Sequence, residues 1–324
     1  MPLSLSPMRR FYAIVLVFFC SGCLAQQDIQ FTQYMFNKAF YNPASVGSAN
    51  SICVKLLMRQ QWLGFKDDAG LTVAPQTYLL SVDAPVYVIH SGVGAIIYQD
   101  KLGYESNIGI RLSYALRLHL GEDNTLGLGA GFSLLNKSID FSKFDPRHQG
   151  DPMLTGQGSE FCYLTDFSAG LWLQSRRSFY LGLSATQIRQ ARGVIGPSEI
   201  VLKRYYYLMT GYNYALRKGH TERQIFLEPS FLVSSDGENI QFDVTGLINF
   251  NDQYYGGAGY RFQNAVYLIA GLKFRKFFVN LSYDITLPAS NGISRHDSPE
   301  IMAGYCCGLS PPVRKQSFYN TRFL

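Results

Sequence analysis

The chain has 324 residues, of which 47% are hydrophobic and 15% aromatic, but only 16% are charged, whereas a typical soluble domain has about 25% charged residues. This composition excludes a disordered chain, because it offers ample apolar surface to bury, and six cysteines are too few for a miniprotein built on disulfides. The formal net charge of +6 is small and the chain has no block of lysine and arginine, so nucleic acid is not an expected partner.

The first recognisable element is residues 1–25. Two arginines precede an apolar run at 11–20, and small residues follow it. A basic start, a short apolar run and small residues before a cleavage point are typical of a secretory signal peptide, and the run is too short to span a bilayer. We predict cleavage after Ala25. Lipidation of Cys23 is the alternative, although a cysteine stands three residues earlier, where lipoprotein signals usually have an aliphatic residue.

Residues 26–50 show no strand pattern but are rich in aromatic residues. Phe31, Tyr34, Phe36 and Tyr41 all fall in this short stretch. We expect the segment either to plug the domain that follows or to bind partners, and these four residues are our candidates for partner binding. The simpler alternative is a flexible terminus.

From residue 51 onward the dominant signal is a two-residue period. In residues 277–287 an apolar residue occupies every second position, and residues 108–120 and 240–250 repeat the pattern. Strict alternation over such lengths predicts β-strands with one apolar face. The sequence predicts fourteen strands, at 51–62, 76–85, 91–100, 106–118, 125–138, 161–174, 179–187, 203–216, 223–234, 239–250, 254–263, 265–273, 277–286 and 300–309.

The connections between these strands alternate in length. The even-numbered connections are short, whereas the odd-numbered ones include every long loop, at 63–75, 139–160, 188–202 and 287–299. An up-and-down meander places all odd connections at one end, and outer-membrane barrels combine short periplasmic turns with longer outside loops. A sandwich, whose connections cross between sheets, does not explain this parity. We therefore predict an all-β fold, a transmembrane antiparallel up-and-down β-barrel of about 14 strands over residues 51–309.

The two faces of the predicted strands differ in chemistry. In a barrel in lipid the apolar face turns outward and the lumen takes the polar residues. Aromatic clusters near strand ends, at 205–207, 254–255 and 277–278, are predicted to form an interfacial girdle, with ordinary β-propensity as the alternative. Glycines 127, 129 and 131 fit a curved wall or room for a neighbouring side chain. The polar positions expected in the lumen include Lys55, Arg59, Asp83, Arg111, Arg117, Asp166, Glu228, Asp243, Lys273 and Asp284.

The sequence contains no recognisable catalytic constellation. A Gly-x-Ser-x-Gly elbow and a His-Glu-x-x-His motif are both absent. The tripeptide His-Asp-Ser at 296–298 is interpreted as a polar loop, because triads converge in space and are seldom adjacent in sequence. The acids and histidine at 145–151 could bind a cation, although a solvated loop is the favoured interpretation. We therefore predict a protein that is not an enzyme and has no cofactor or metal.

Four cysteines follow the signal segment, at positions 53, 162, 306 and 307. None belongs to a Cys-x-x-Cys pair or has a histidine at metal-ligand spacing. The neighbours at 306 and 307 would face opposite sides of a strand. We interpret all four as small, semi-apolar filling residues.

A series of short motifs runs along the chain in a fixed order. They are Gln27-Asp28-Ile29-Gln30-Phe31-Thr32-Gln33-Tyr34-Met35-Phe36-Asn37, Phe40-Tyr41-Asn42-Pro43-Ala44, Arg59-Gln60-Gln61-Trp62-Leu63-Gly64-Phe65, Ala74-Pro75-Gln76-Thr77, Ser81-Val82-Asp83-Ala84-Pro85, Leu112-Ser113-Tyr114-Ala115, Leu126-Gly127-Leu128-Gly129-Ala130-Gly131, Ser282-Tyr283-Asp284, Pro299-Glu300-Ile301-Met302 and Asn320-Thr321-Arg322-Phe323-Leu324. Together they resemble the PorP/SprF family of type IX secretion and gliding-motility membrane proteins over essentially the whole chain after the signal segment. Two departures are Asp83, where a histidine is common, and the Cys306-Cys307 pair.

The resemblance implies an outer-membrane β-barrel of Bacteroidetes-type bacteria that serves type IX secretion. Some members associate with the periplasmic ring and peptidoglycan-linked components. Others hold a secreted adhesin or a C-terminal sorting domain at the surface, which supports gliding. The expected partners are therefore outer-membrane lipid, type IX components and a secreted surface protein. A channel or transporter for small or hydrophobic solutes on a similar barrel is the alternative.

The last segment, residues 310–324, is predicted to be a periplasmic tail. Like residues 26–50, it could bind a periplasmic partner or plug the lumen, with a flexible terminus as the alternative. Its candidate partner-binding residues are Arg322, Phe323 and Leu324.

Overall fold

The computed structural model describes residues 28–66, 70, 72–144, 158–175, 178–217, 224–287 and 297–309. The predicted signal segment 1–25 and the tail 310–324 lie outside these residues. The helix and strands are α1 (Lys38–Tyr41), β1 (Ser51–Gln60), β2 (Gln76–Val86), β3 (Ser91–Leu102), β4 (Glu105–Leu120), β5 (Asn124–Asp140), β6 (Ser159–Ser175), β7 (Phe179–Thr186), β8 (Arg192–Ile195), β9 (Ser198–Val201), β10 (Tyr205–Tyr212), β11 (Tyr214–Arg217), β12 (Ile225–Ser235), β13 (Ile240–Phe250), β14 (Tyr254–Arg261), β15 (Ala265–Phe274), β16 (Phe277–Thr286) and β17 (Ser298–Gly308). Single 3-10 turns lie at Pro43–Ser45, Tyr87–Ile89 and Phe141–Lys143.

One antiparallel sheet forms a closed wall. Consecutive strands pair from β1 to β7 and from β12 to β17, and β10 joins β7 to β12. The first and last strands also pair, with Arg59 opposite Glu300. β10 and β11 are two parts of one wall strand, since both pair with β12. The wall therefore has fourteen strands, and the predicted antiparallel barrel is confirmed.

The observed strand ends differ from the predicted ones by one or two residues at most. The sequence did not predict the hairpin β8–β9, whose four-residue strands lie inside the predicted loop 188–202 and are too short to show a period. This hairpin packs Ile195 and Ile200 in a small buried cluster with Leu164 of β6. We call the end of the barrel with the long odd connections the loop end, and the opposite end the turn end.

The wall has its apolar residues outside and its charges inside. The outward residues of β4 are 37–51% exposed, and they are Ile108, Ile110, Leu112, Tyr114, Leu116, Leu118 and Leu120. In contrast, Arg59, Asp166 and Asp284 are buried. This is the reverse of a water-soluble fold and the arrangement of a transmembrane barrel, and it places the protein in the outer membrane. Among the described residues no helix is long and apolar enough to cross a membrane.

The aromatic clusters that were predicted to form a girdle are divided between the two faces. Tyr206, Tyr254 and Phe277 point outward and are 48–60% exposed. Their neighbours Tyr207 and Phe278 point inward and pack against the core. Successive side chains of a strand face opposite ways, so only alternate members of each cluster can lie at the interface.

The interpretation of Cys53 and Cys306 as filling residues is wrong. They lie opposite each other in the closing pair β1–β17 and form a disulfide. The two residues are 253 positions apart, and only closure of the barrel brings them together. Cys162 and Cys307 are free thiols.

Candidate functional site

Residues 28–50, which we call the luminal segment, lie inside the barrel. Phe31, Tyr34, Phe40 and Tyr41 are at most 2% exposed and belong to the largest buried apolar cluster of the described residues. The ring centroids of Phe31 and Phe40 are 4.9 Å apart, and Tyr41 meets the wall residue Tyr207 at 5.3 Å. Both pairs are edge-to-face, the arrangement that aromatic quadrupoles favour. The segment thus provides the barrel with an aromatic core.

The beginning of the luminal segment is bound by charged residues of the wall. The backbone N–H groups of Thr32 and Gln33 both donate to the Glu300 carboxylate at 3.0 Å. The Thr32 hydroxyl donates to Asp284 at 2.6 Å. Arg59 donates to Asp284 at 2.9 Å and to Glu300 at 3.0 Å. These are charge-assisted hydrogen bonds, about twice as strong as neutral ones.

A second arginine completes this group. Arg261 donates to Asp243 at 2.8 Å and to Asp284 at 3.2 Å. All five charged side chains are at most 5% exposed. Two arginines face three carboxylates. The N–H groups of the luminal segment compensate the remaining negative charge by donating hydrogen bonds to Glu300. We call this group the charged anchor; its members are Thr32, Gln33, Arg59, Asp243, Arg261, Asp284 and Glu300.

The end of the luminal segment, residues 42–47, lies in close contact with the backbone of the wall. Asn42 donates from Nδ2 to the carbonyls of Leu171 and Leu183 at 2.9 and 3.2 Å, and its Oδ1 accepts from the Ala44 N–H at 2.9 Å. The 3-10 turn that follows lies directly on glycines of the wall. A Cβ on Gly127 would come within 2.7 Å of the Ala44 oxygen, and one on Gly129 would overlap the Ala44 backbone.

The same close approach recurs on neighbouring strands. A Cβ on Gly92 would overlap the Val46 carbonyl, and one on Gly170 would overlap the Asn42 side chain. We call this region the glycine anchor; its members are residues 42–47 together with Gly92, Gly127, Gly129, Gly170 and Gly182. The sequence predicted wall curvature or room for a side chain at positions 127–131. At Gly127 and Gly129 the structure shows room for a piece of backbone. At Gly131 it shows the predicted room for a side chain, since a Cβ there would come within 2.3 Å of the Ser168 hydroxyl oxygen.

Wall side chains also satisfy backbone groups of the luminal segment between the anchors. Lys55 donates to the Phe36 carbonyl at 3.0 Å, and Arg111 donates to the Phe40 carbonyl at 3.0 Å. Ser184 donates to the Tyr41 carbonyl at 2.7 Å. A segment without regular structure must find such partners when it is buried.

A cavity of about 240 Å³ remains at the turn end, and Phe36, Lys38, Tyr180 and Glu228 are among its lining residues. The Lys38 ammonium lies 3.7 Å from the centroid of the Tyr180 ring. No carboxylate of the described residues is within salt-bridge distance of Lys38. Burial, together with the nearby charge of Lys55, lowers the pKa of Lys38 to about 8.

The candidate partner-binding residues have different surroundings. Phe31, Tyr34 and Tyr41 are enclosed by the wall, so a partner could reach them only after the luminal segment moves. Phe36 is half-buried, and its ring centroid lies 5.3 Å from that of Tyr255. The tail residues 322–324 are outside the described part of the chain. Partner binding by all these residues stays a prediction.

The described residues contain no group of three histidines, cysteines, aspartates or glutamates that could hold a metal ion. The rings of His90 and His119 meet at the turn end with centroids 6.1 Å apart. Residues 145–151 and His296, which were considered as a cation site and as part of a polar loop, lie outside the described residues.

Sequence reasoning did not single out Thr32, Gln33, Asn42 or Glu300 as functional residues. Asn42 carries a signal in hindsight, because Asn-Pro is typical of a turn start and Asn is a good cap. Several charges of the wall were expected in the lumen, but the contacts of Asp284 and Glu300 with the luminal segment join residues that are more than 200 positions apart.

Comparison with known proteins matches this chain to a family of membrane proteins. A family model described as "Type IX secretion system membrane protein PorP/SprF" matches residues 23–305. No curated protein matches the chain in sequence. Similar solved structures include a Pseudomonas aeruginosa FadL homologue (10% identity, 84% of this chain and 94% of that chain, TM-score 0.47) and the Pseudomonas putida toluene transporter TodX (10%, 84% and 94%, TM-score 0.48). The CymD monoaromatic hydrocarbon channel is also similar (9%, 86% and 93%, TM-score 0.47).

Proposed function

The chain belongs to the PorP/SprF family of type IX secretion system membrane proteins, and we propose that it acts as a non-catalytic outer-membrane barrel in the secretion or anchoring of a surface protein. The client is held through its C-terminal domain, and the turn end of the barrel contacts periplasmic components of the system. The proposal includes delivery by the signal peptide 1–25 and a role in gliding in a Bacteroidetes-type bacterium.

The observation that carries the proposal is the filled lumen. The luminal segment is attached to the wall at both anchors, and its aromatic side chains occupy the space between them. A conduit for solutes needs a continuous path, whereas an anchor needs a rigid wall and exposed ends. The contacts of the luminal segment stabilise such a wall from within and favour the anchoring role over the channel.

The proposed function is tested by deleting the gene and measuring the surface protein. We expect the secreted client to be lost from the cell surface and to return when the full-length chain is supplied. Unchanged amounts of every type IX client on the surface of the deletion strain would contradict the proposal.

Planar-bilayer recording separates the anchor from the channel. The purified protein should show no steady conductance, because the luminal segment fills the lumen. A steady, solute-selective conductance of the wild-type protein would favour the transporter alternative.

The periplasmic contact has its own test at the tail. Removal of residues 322–324 should reduce co-purification of periplasmic ring or peptidoglycan-linked components, while folding of the barrel is unchanged. Equal recovery of those components with the truncated chain would remove the tail from the proposal.

A further inference from the structure

The luminal segment begins at the loop end of the barrel. The Asp28 carboxylate accepts a hydrogen bond from the Tyr207 hydroxyl at 2.6 Å. Tyr207 belongs to β10, which starts at the loop end, after the long connection 188–202. A space of about 60 Å³ beside Asp28 is also lined by Asp236 and Asn239, which lie in the odd connection between β12 and β13. Asp28 is therefore at the loop end.

The luminal segment finishes at the turn end. The Ser48 carbonyl accepts a hydrogen bond from the Gln174 amide at 3.3 Å, and Gln174 is one residue from the end of β6. The Asn50 carbonyl accepts from the Leu309 N–H at 3.2 Å, and Leu309 directly follows β17. β1 starts at the next residue and runs back toward the loop end. The first and last residues of the segment thus lie at opposite ends of the barrel.

The chain that precedes Asp28 has no route to the turn end through the lumen. Phe31, Tyr34 and Tyr41 are at most 2% exposed and belong to the apolar cluster that fills the lumen. The space beside Asp28 shares no lining residue with the turn-end cavity. Consecutive strand pairing and the β1–β17 pair close the wall, so its described part offers no exit toward the turn end. The chain therefore reaches Asp28 from the loop end.

The loop end of an outer-membrane barrel faces the outside of the cell, because the longer connections lie there and the short turns face the periplasm. We propose that the chain enters the barrel from the cell surface, so that the residues directly before Asp28 are displayed outside the cell, on the side of the secreted partner. Periplasmic components reach the luminal segment only at its other end, residues 48–50. This inference rests on the proposed function, which places the turn end in the periplasm.

This placement decides which kind of partner can act on each anchor. The charged anchor begins at Thr32, four residues after Asp28. An extracellular protein that binds the start of the chain therefore acts on the charged anchor. A periplasmic protein that binds residues 48–50 acts on the glycine anchor, which includes residues 42–47. The start of the segment is thus assigned to the secreted surface protein, and only its end to periplasmic components.

The test measures from which side of the outer membrane a thiol at the start of the segment is accessible. The background is the full-length chain with Cys162→Ser and Cys307→Ser, which removes the two free thiols and retains the disulfide. A Gly-Ser linker with one cysteine is inserted directly before Asp28, so that the side chains of the described contacts are unchanged. Heat-modifiable migration on a gel verifies that each protein is folded.

Two control proteins carry the same linker at exposed positions, one after Gly237 at the loop end and one after Glu122 at the turn end. Intact cells, and cells with a permeabilised outer membrane, are treated with a membrane-impermeant maleimide. In intact cells we expect the thiol before Asp28 to react like the loop-end control and at least tenfold faster than the turn-end control.

The controls separate failure of this inference from failure of the proposed function. If the loop-end control reacts in intact cells, but the thiol before Asp28 reacts only after permeabilisation or not at all, the inference is overturned and the proposed function stands. Reaction of the turn-end control in intact cells, with a loop-end control that reacts only after permeabilisation, would invert the barrel and overturn both.

Discussion

The two anchors hold the same segment by different physics. The charged anchor uses buried ionic hydrogen bonds among residues of five wall strands, together with the N–H groups of Thr32 and Gln33. The glycine anchor uses the absence of side chains, which allows the backbone of residues 43–47 to touch the backbone of the wall. The first depends on charge balance, since a single lost partner leaves a buried charge. The second depends on volume, since a methyl group added to a wall glycine would overlap the backbone of the luminal segment.

This difference decides which changes each anchor tolerates. The charged anchor should fail when a charge is removed and should be insensitive to small changes of size. The glycine anchor should fail on the smallest increase in size. Charge enters it at two backbone groups, since Arg117 donates to the Val46 carbonyl and Asp83 accepts from the Gly47 N–H at 3.1 Å. Substitutions that act on only one anchor can therefore show whether the luminal segment is released as a unit or one end at a time.

The largest expected effect is that of Arg59→Met. The substitution keeps an unbranched side chain but leaves Asp284 and Glu300 with one arginine fewer, and breaking a buried ion pair costs about 3–5 kcal/mol. We expect a large fall in the temperature at which the folded gel band disappears, and ion conductance in planar bilayers when the segment leaves the lumen.

Lys273→Met is the control for Arg59→Met, because Lys273 also pairs with an aspartate, Asp252, but both side chains are exposed. An exposed pair contributes about 0–1 kcal/mol, so its loss should change little. Equal stability of the two variants would show that the charged anchor does not hold the segment.

The next largest effect is expected from loss of the disulfide that joins the first and last strands of the wall. The disulfide of Cys53 and Cys306 joins the first and last strands at the turn end, whereas Arg59 and Glu300 join the same strands near the loop end. Replacing both cysteines by serine should lower stability by about 2–4 kcal/mol, since the bridge restricts a very long loop in the unfolded chain.

On non-reducing gels the unfolded wild type should migrate faster than the double cysteine variant, and reductant should remove the difference. Cys162→Ser is the control, because that thiol is free. A mobility difference that persists in reductant would contradict the bridge.

A smaller effect is expected from Gly129→Ala, which places a methyl group on the Ala44 backbone. Overpacking of this kind costs about 1–3 kcal/mol. The control is Gly246→Ala on β13, where a Cβ meets nothing within 4 Å. We expect the first variant to unfold at lower temperature and to conduct ions intermittently, and the second to match the wild type. Identical behaviour of both would remove close backbone contact from the glycine anchor.

Most of the wall could be predicted from the sequence, because a two-residue period and alternating connection lengths are local properties of the chain. The hairpin β8–β9 was missed because four residues carry too little periodicity, and the disulfide was missed because it depends on which strands meet when the barrel closes. The outward position of Tyr206 and the inward position of Tyr207 follow from the same two-residue period that predicted the strand, because this period places neighbouring side chains on opposite faces.

The luminal segment was predictable only in part. Its aromatic residues suggested a plug, but the choice of contacts depends on register across several strands. Gly129 illustrates this, since a glycine in a strand indicates that another group approaches the backbone closely but does not identify that group, which here is the backbone of Ala44. Asp284 is similar: its position in the lumen follows from alternation, whereas its contacts with Thr32 and two arginines follow from the three-dimensional path of the segment.

The smallest effect is that of Lys38→Met, at the turn-end cavity between the anchors. The pKa of Lys38 is lowered from 10.5 to about 8 in the folded protein, mainly by burial. The folded state therefore binds fewer protons than the unfolded state between about pH 8 and pH 10.5, and stability should rise with pH across that window.

Below pH 8 Lys38 is charged in both states and its desolvation penalty is fully present. Methionine removes the penalty, so the variant should be about 1–3 kcal/mol more stable than the wild type at pH 7, with the advantage shrinking toward pH 10.5. Melting of the folded gel band at pH 7, 9 and 10 measures this. A variant that is less stable at pH 7 would show that the contact of Lys38 with the Tyr180 ring outweighs burial of its charge, and that this contact helps to hold the middle of the segment beside the hydrogen bonds from Lys55, Arg111 and Ser184.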